Sequence, residues 1–379
     1  MTGSKIYHDV WVVDFEFRAL PGERPDPICM VAINAVTGEE KRLWGEELHS
    51  LSPEFFSAPD SLFVAYYASA EIGCLLALGV QVPANIVDLY VEFRNQHNGR
   101  QTPSGCGLLG AAIAHGLDCM GAEEKSEMRD LAIRGGPYAL EERNALLDYC
   151  AADVRLTVRL YHAMSSTIDW PRAPLRGLYM TAVARMEWTG IPIDTSTRDR
   201  LVDGWERIQD GLIGEIDHAY GVYDGRSFRR ELFESYLVGH GIAWPKLPSG
   251  QIALDDDTFR EMVRRYPDLS PLRELRVSLS QMRLSDLSVG SDGRNRTLLS
   301  PFRARTGRNQ PSNSRFAFGP ATWLRGLIRP EPGRALAYVD WSQQEFGIAG
   351  ALSGDLAMQE AYRSGDPYLA FAIQAGAAP

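Results

Sequence analysis

An apolar run, Val10-Trp11-Val12-Val13, breaks off in Asp14-Phe15-Glu16. This junction constrains the chain more than any other feature. Residues 6–17 read as a buried strand. Alternate residues of a strand face the same way, so Asp14 and Glu16 project together from its end. Far downstream, Tyr149-Cys150-Ala151-Ala152-Asp153 lies in a helical stretch. Helical neighbours stand at i and i+4, so Tyr149 and Asp153 also project together. Carboxylates and a phenol brought to one place can hold two divalent metals and orient a water. That is equipment for cleaving a phosphodiester.

A chain of 379 residues is too long for one ordinary core and predicts about two or three domains. Its 45% hydrophobic and 23% charged residues are those of a soluble globular protein. No run of about 18 apolar residues is present, so no membrane span or membrane partner is expected. The start, MTGSKIYHDV, lacks the pattern of a signal peptide. Cys29, Cys74, Cys106, Cys119 and Cys150 are scattered and form no CxxC. Reduced thiols and a cytoplasmic setting are expected, without a zinc site or a disulfide framework. The seven histidines have no metal-ligand spacing.

A net charge of −10 argues against a nucleic-acid binder until its distribution is considered. Between Arg273 and Arg329 there are eleven arginines against Glu274, Asp286 and Asp292. A basic stripe on an acidic protein can be the footprint of a phosphate backbone. Arginine suits bidentate phosphate contact.

Strand patterns at 28–36, 41–44, 62–67 and 86–89 alternate with helical patterns at 70–78, 90–96, 108–115, 123–133 and 140–164. This order predicts an α/β domain. Residues 167–174, with Pro171 and Pro174, read as a linker. A helix is expected over 178–188, and a longer one, capped by Asp194 or Thr195, to about Ala219. Residues 297–345 look strand-rich, ending in an apolar strand, Ala335 to Val339, that delivers Asp340. Helices are expected over 346–361 and 367–375.

The first domain resembles the DEDD family of 3′→5′ exonucleases, in the subtype with a tyrosine in its third motif. Asp14-x-Glu16 is similar to the first motif and Tyr149-x-x-x-Asp153 to the third. For the second, Ala70-Glu71 stands where the family has an Asp at a helix start. Glu71 is one methylene longer, and Tyr67 stands near the usual Asn or His. Asp88 matches a supporting acidic position. The resemblance implies two Mg²⁺ or Mn²⁺ ions held by Asp14, Glu16, Glu71 and Asp153, with Tyr149 orienting the water or taking its proton. An all-oxygen site suits those metals. Lys125 and Arg129 lie on one helix face beside this site. Tyr66 and Tyr67 could stack on unpaired bases.

The remainder resembles the family A DNA polymerases, the DNA polymerase I type. Ala184 to Asp194 is similar to the lead into the thumb. Arg305-Thr306-Gly307-Arg308 is similar to the TGR segment, and Tyr338-Val339-Asp340-Trp341-Ser342-Gln343-Gln344-Glu345-Phe346 to motif A. Trp341 replaces its Tyr, and Gly347 its final Arg. The resemblance implies Asp340 as a metal-binding catalytic acid and Gln343 and Glu345 as nucleotide-pocket residues. It implies Arg305, Arg308 and Arg315 as DNA contacts.

Together these readings predict an α/β chain in this order: a ribonuclease H-like exonuclease domain over 1–166, a linker over 167–177, a helical thumb-like region over 178–295 and part of an α+β palm over 296–379. The expected partners are primer-template DNA, single-stranded 3′ ends and, in a full-length protein, dNTPs. The fingers helix and second catalytic acid of the family do not follow before Pro379. The chain alone is therefore expected to trim DNA ends and not to polymerise. The alternatives are an RNase D-like exoribonuclease, against which residues 305–308 and 338–346 argue, and an inactive DNA-binding fragment.

Overall fold

The computed structural model of the chain describes residues 7–102, 104–118, 122–281, 284–319 and 322–378. Cys119 lies outside these residues. Two compact units are present, Met1–Arg329 and Pro330–Pro379.

The first unit opens on a five-stranded sheet of β1 (Asp9–Arg18), β2 (Asp26–Asn34), β3 (Glu40–Trp44), β4 (Ser61–Ala65) and β5 (Ile86–Asp88). Its order is β3-β2-β1-β4-β5. The β1–β2 and β2–β3 pairs are antiparallel, and the β1–β4 and β4–β5 pairs are parallel. The central β1 is buried on both faces, as its unbroken apolar run requires. Val10 and Val12 enter the core beneath α5 (Leu140–Met164). Trp11, Val13 and Phe15 enter the opposite core, beneath α1 (Ser69–Ala77). Between these helices in sequence come α2 (Leu89–Gln96), α3 (Leu108–Ala114) and α4 (Ala122–Arg134).

The segment expected as a linker is shorter than its prolines imply. Helix α6 (Ala173–Thr189) already starts at Ala173, with Pro174 in its first turn, where a missing N–H costs nothing. Met180 and Ala184 of α6 fill the core over α1. The approach is close: a Cβ on Gly177 would stand 2.0 Å from the Ile86 carbonyl oxygen at the start of β5. A buried fork fixes the same helix to α2. Arg176 Nε and Nη2 each donate to Glu92 at 2.7 Å.

Beyond α6, Ile191–Pro192 pairs with Arg294–Asn295. Asp194 accepts from the Thr197 N–H at 3.0 Å and caps α7 (Thr195–Asp203). The expected single long helix is broken at Gly204, and α8 (Trp205–Asp217) follows. Next come α9 (Arg230–Gly239), α10 (Asp256–Arg265) and α11 (Ser270–Gln281). Their small core holds Phe233, Leu237, Phe259 and Leu272.

The strand-rich reading of 297–345 is not what forms. No strand lies there among the described residues, apart from an isolated bridge between Ile193 and Ile328. The Ala335 to Val339 run forms no strand, with Tyr338 91% and Val339 79% exposed. An apolar run becomes a strand only where a neighbouring strand accepts its hydrogen bonds.

The second unit contains α12 (Gln344–Ser353), α13 (Leu356–Arg363) and α14 (Pro367–Gln374). Asp355 and Asp366 cap the last two, accepting from Met358 N at 3.1 Å and Leu369 N at 3.0 Å. Gly347 packs close to the Tyr362 side chain. A Cβ there would stand 2.8 Å from the Tyr362 ring.

Candidate nuclease site and the motif at Asp340

Asp14 and Glu16 leave β1 on the same face as Val10 and Val12. Both are half-buried. The strand bulges just beyond, between Glu16 and Phe17, and pairing resumes in a shifted register with Phe17 opposite Pro27. Helix α5 crosses this face. It brings Cys150 to the strand, where the thiol donates to the Asp14 carbonyl at 3.3 Å. One turn of helix explains the next pair: the Tyr149 phenol donates to Asp153 Oδ2 at 3.0 Å. Burial, then the Asp153 carboxylate, then Glu16, push the Tyr149 phenol far above its usual range.

Glu71 enters from the first turn of α1. It is 3% exposed, and its Oε2 has no hydrogen-bond partner among the described residues. Burial pushes its carboxyl well above the usual range. The Asp14 charge adds to this, and the Asp88 and Glu16 charges contribute further. The turn before α1 is held by Asp88, which accepts from the N–H groups of Tyr67 at 3.1 Å, Ala68 at 2.8 Å and Tyr90 at 2.8 Å. Tyr67 in that turn has φ of 84°. A non-glycine residue held there marks strain maintained by its surroundings.

The structure thus brings Asp14, Glu16, Glu71, Tyr149 and Asp153 to one place. A cavity of about 610 Å³ opens on it, lined by Asp14, Asp153, Tyr66, Tyr67, Tyr90 and Arg303 among others. A second cleft, of about 850 Å³, is lined by Glu16, Arg129, Glu187, Arg303 and Arg315 among others. The Lys125 side chain lies outside what is described. Tyr66 donates to the Cys106 carbonyl at 2.6 Å, so its phenol is tied while its ring lines the cavity.

The donor set fits a hard divalent cation. Ligand atoms of Asp14, Glu16 and Cys150 all lie within 4.8 Å of one another. The thiol is not the natural member: burial pushes its pKa well up, and a protonated sulfur is a poor ligand for Mg²⁺ or Mn²⁺. The carboxylates, including the orphaned Glu71 oxygen, are suitable.

The motif at Asp340 is arranged differently. Asp340 sits on the exposed, unpaired run rather than at a strand end. Gln343 caps α12 in a left-handed conformation with φ of 47°, and Glu345 lies in that helix's first turn. No second cluster of metal-ligating side chains occurs among the described residues.

The arginine stripe divides. Arg273 pairs with Asp256 at 2.9 Å. Arg276 lies over the Phe228 and Phe259 rings. Arg296 is buried against Asp292 at 2.6 Å, and Arg329 meets Asp194 at 3.0 Å. These hold the fold together and are not free for phosphate. Arg303, Arg305, Arg308 and Arg315 are exposed.

Sequence reasoning missed Glu187. It stands on the same face of α6 as Met180, Val183 and Ala184, and that i, i+3, i+4, i+7 spacing was the available signal. It accepts from the Leu299 N–H at 2.6 Å. Burial raises its pKa from 4.5 to about 7, and burial likewise raises Asp88 from 3.8 to about 6. Both hold their proton more tightly in the folded chain than in the unfolded one. The associated stability is therefore full below the unfolded values and is lost as pH rises through about 6 to 7. Glu187→Gln, which cannot ionise, is expected to gain on the order of 3 kcal/mol over the parent chain at pH 8 and nothing at pH 4. Denaturant unfolding at the two pH values measures this; equal gaps at both would refute it.

No family model matches the chain. DNA polymerase I of Chloroflexus aurantiacus is 25% identical over 372 residues, covering 90% of this chain and 38% of that protein. The DNA polymerase of Mycobacterium phage D29 is 24% identical over 234 residues, covering 58% of this chain and 38% of that protein. The POL domain of Pol1 from M. smegmatis, solved in complex with DNA primer-template and dNTP, superposes with a TM-score of 0.65 at 16% identity. That match covers 96% of this chain and 62% of that one. The chain is thus similar in sequence to two DNA polymerases and in fold to a polymerase domain. The chain spans about two fifths of the length of the curated relatives it matches. No helix among the described residues is long and apolar enough to cross a membrane.

Proposed function

We propose that this chain is the portion of a DNA polymerase I-type protein that edits. On this reading its first sheet and flanking helices form a ribonuclease H-like 3′→5′ exonuclease, followed by a thumb-like helical region and the start of a palm. The observation that carries the reading is the convergence of Asp14, Glu16, Glu71 and Asp153 with Tyr149, beside a cavity that Asp14 and Asp153 line. The sheet order, with β2 antiparallel beside the parallel strands β1, β4 and β5, supports it. So do the DNA polymerase relatives, whose full-length role would be template-directed synthesis in the cytoplasm.

Asp14, Glu16, Glu71 and Asp153 would hold two Mg²⁺ or Mn²⁺ ions. Such a pair activates a water and steadies the leaving 3′-oxygen. The chain's own residues do the rest. Tyr149, anchored on Asp153, orients the attacking water. Cys150 and the β1 ladder hold Asp14 in place. The tyrosines of the cavity accept the terminal base by stacking. Arg305, Arg308 and Arg315 would contact the DNA backbone. Asp340, Gln343 and Glu345 would serve the polymerase site of a full-length protein. On its exposed, unpaired run, Asp340 is not expected to support synthesis in this chain alone.

The test uses the purified chain, a 5′-labelled single-stranded DNA, a matching RNA and Mg²⁺. A shortening DNA ladder, abolished by EDTA and restored by Mn²⁺, is expected. Trimming of RNA in preference to DNA would replace the editing reading with an exoribonuclease. No trimming of either would leave a binding fragment.

A further inference from the structure

Arg303 belongs to neither half of the acidic site, yet it borders both approaches to it. It lines the cavity that contains Asp14 and Asp153 and also the cleft that reaches Glu16. The segment that carries it, 299–310, comes from the part of the chain resembling the palm, and it is held against the first sheet's helices at several points. Arg94 of α2 donates through Nε to the Phe302 carbonyl at 3.2 Å and through Nη2 to the Arg303 carbonyl. Asn98 donates to the Arg305 carbonyl at 2.8 Å. At the far end, Tyr179 donates to Asn309 at 2.8 Å. Phe302 packs into the core over α1. Ser300 and Phe302 have φ of 49° and 55°, conformations such residues keep only where the surroundings impose them. The backbone is therefore fixed while the Arg303 side chain is exposed.

We propose that Arg303 is a phosphate-binding residue of the nuclease site, supplied by the polymerase-like half of the chain. This rests on the editing reading above. A single strand whose 3′ end lies among Asp14, Glu16 and Asp153 must bring its phosphates past a concentration of negative charge. A guanidinium at the junction of the two cavities offsets that repulsion and forks onto phosphate oxygens. It contacts the backbone and not a base edge, so it adds affinity without sequence preference.

The experiment compares the parent chain, Arg303→Ala, Arg303→Lys and Asp14→Ala. Binding of a fluorescein-labelled oligothymidylate is followed by anisotropy in EDTA across a salt series, and trimming is followed in Mg²⁺. Arg303→Ala is expected to weaken binding roughly tenfold and to lower the salt slope by about one. It should raise KM with kcat nearly unchanged, and Arg303→Lys should recover part of the loss. If Arg303→Ala binds and trims like the parent while Asp14→Ala is dead, the Arg303 proposal falls and the nuclease reading stands. If the parent itself neither trims nor differs from Asp14→Ala, both fall.

Discussion

Asp14→Ala is expected to cut DNA end-trimming on the order of a thousandfold, the loss of several kcal/mol of metal-borne stabilisation. The chain should stay folded. Asp14 lies at the centre of the acidic group: its ligand oxygens fall within 4.8 Å of those of Glu16, it shares a cavity with Asp153, and its charge helps raise the Glu71 carboxyl. Removing it takes a ligand from the proposed metals and at the same time relieves repulsion among the remaining acids. Activity and stability should therefore move in opposite directions, with an unchanged or higher melting temperature in EDTA. A merely structural Asp14 would give the reverse: a less stable chain with activity in proportion to the folded fraction. Undiminished trimming by a clean preparation would place the site elsewhere.

Arg176→Ala is expected to be the most destabilising of the simple truncations, at about 3–5 kcal/mol. The Glu92 side chain is 1% exposed and that of Arg176 is 12% exposed. The two nitrogens that reach Glu92 make its fork, and Asp169 adds a weaker contact at 3.5 Å. Truncating the arginine leaves a carboxylate buried with no partner charge. The double variant Arg176→Met with Glu92→Leu should be closer to the parent than either single change. That non-additivity, read from denaturant unfolding, distinguishes a buried pair from simple loss of packing. Purely additive losses would refute the account. Because α2 also carries Arg94, loosening this fork should be felt at Arg303.

Short-range periodicity is legible in the sequence. Asp14 and Glu16 share a face because a strand alternates, and Tyr149 meets Asp153 because a helix repeats. Helix α5 runs over Leu140–Met164, as its pattern predicts. Features that depend on a distant neighbour are not legible. Ala335 to Val339 has a strand's composition and no neighbouring strand. The arginine stripe is continuous in sequence but divides in space, because Asp256, Asp292 and Asp194 claim Arg273, Arg296 and Arg329. Glu187 is one acid among many in the sequence, and only the inward face of α6 sets it apart. Pro171 and Pro174 suggest a flexible join, and the second of them begins a helix instead.

That helix has a mechanical consequence. Helix α6 is at once the last wall of the first core and the support for the segments beyond it: Gly177 lies against β5, Arg176 is clamped to α2, and Glu187 reaches the backbone of Leu299. A rigid rod shared in this way removes the hinge that a linker at 167–177 would have provided. The two ends of α6 cannot swing independently about that point. Whatever strand reaches the acidic cavity therefore meets a frame of fixed geometry on the α6 side and has to adapt to it, with no joint there to close around it.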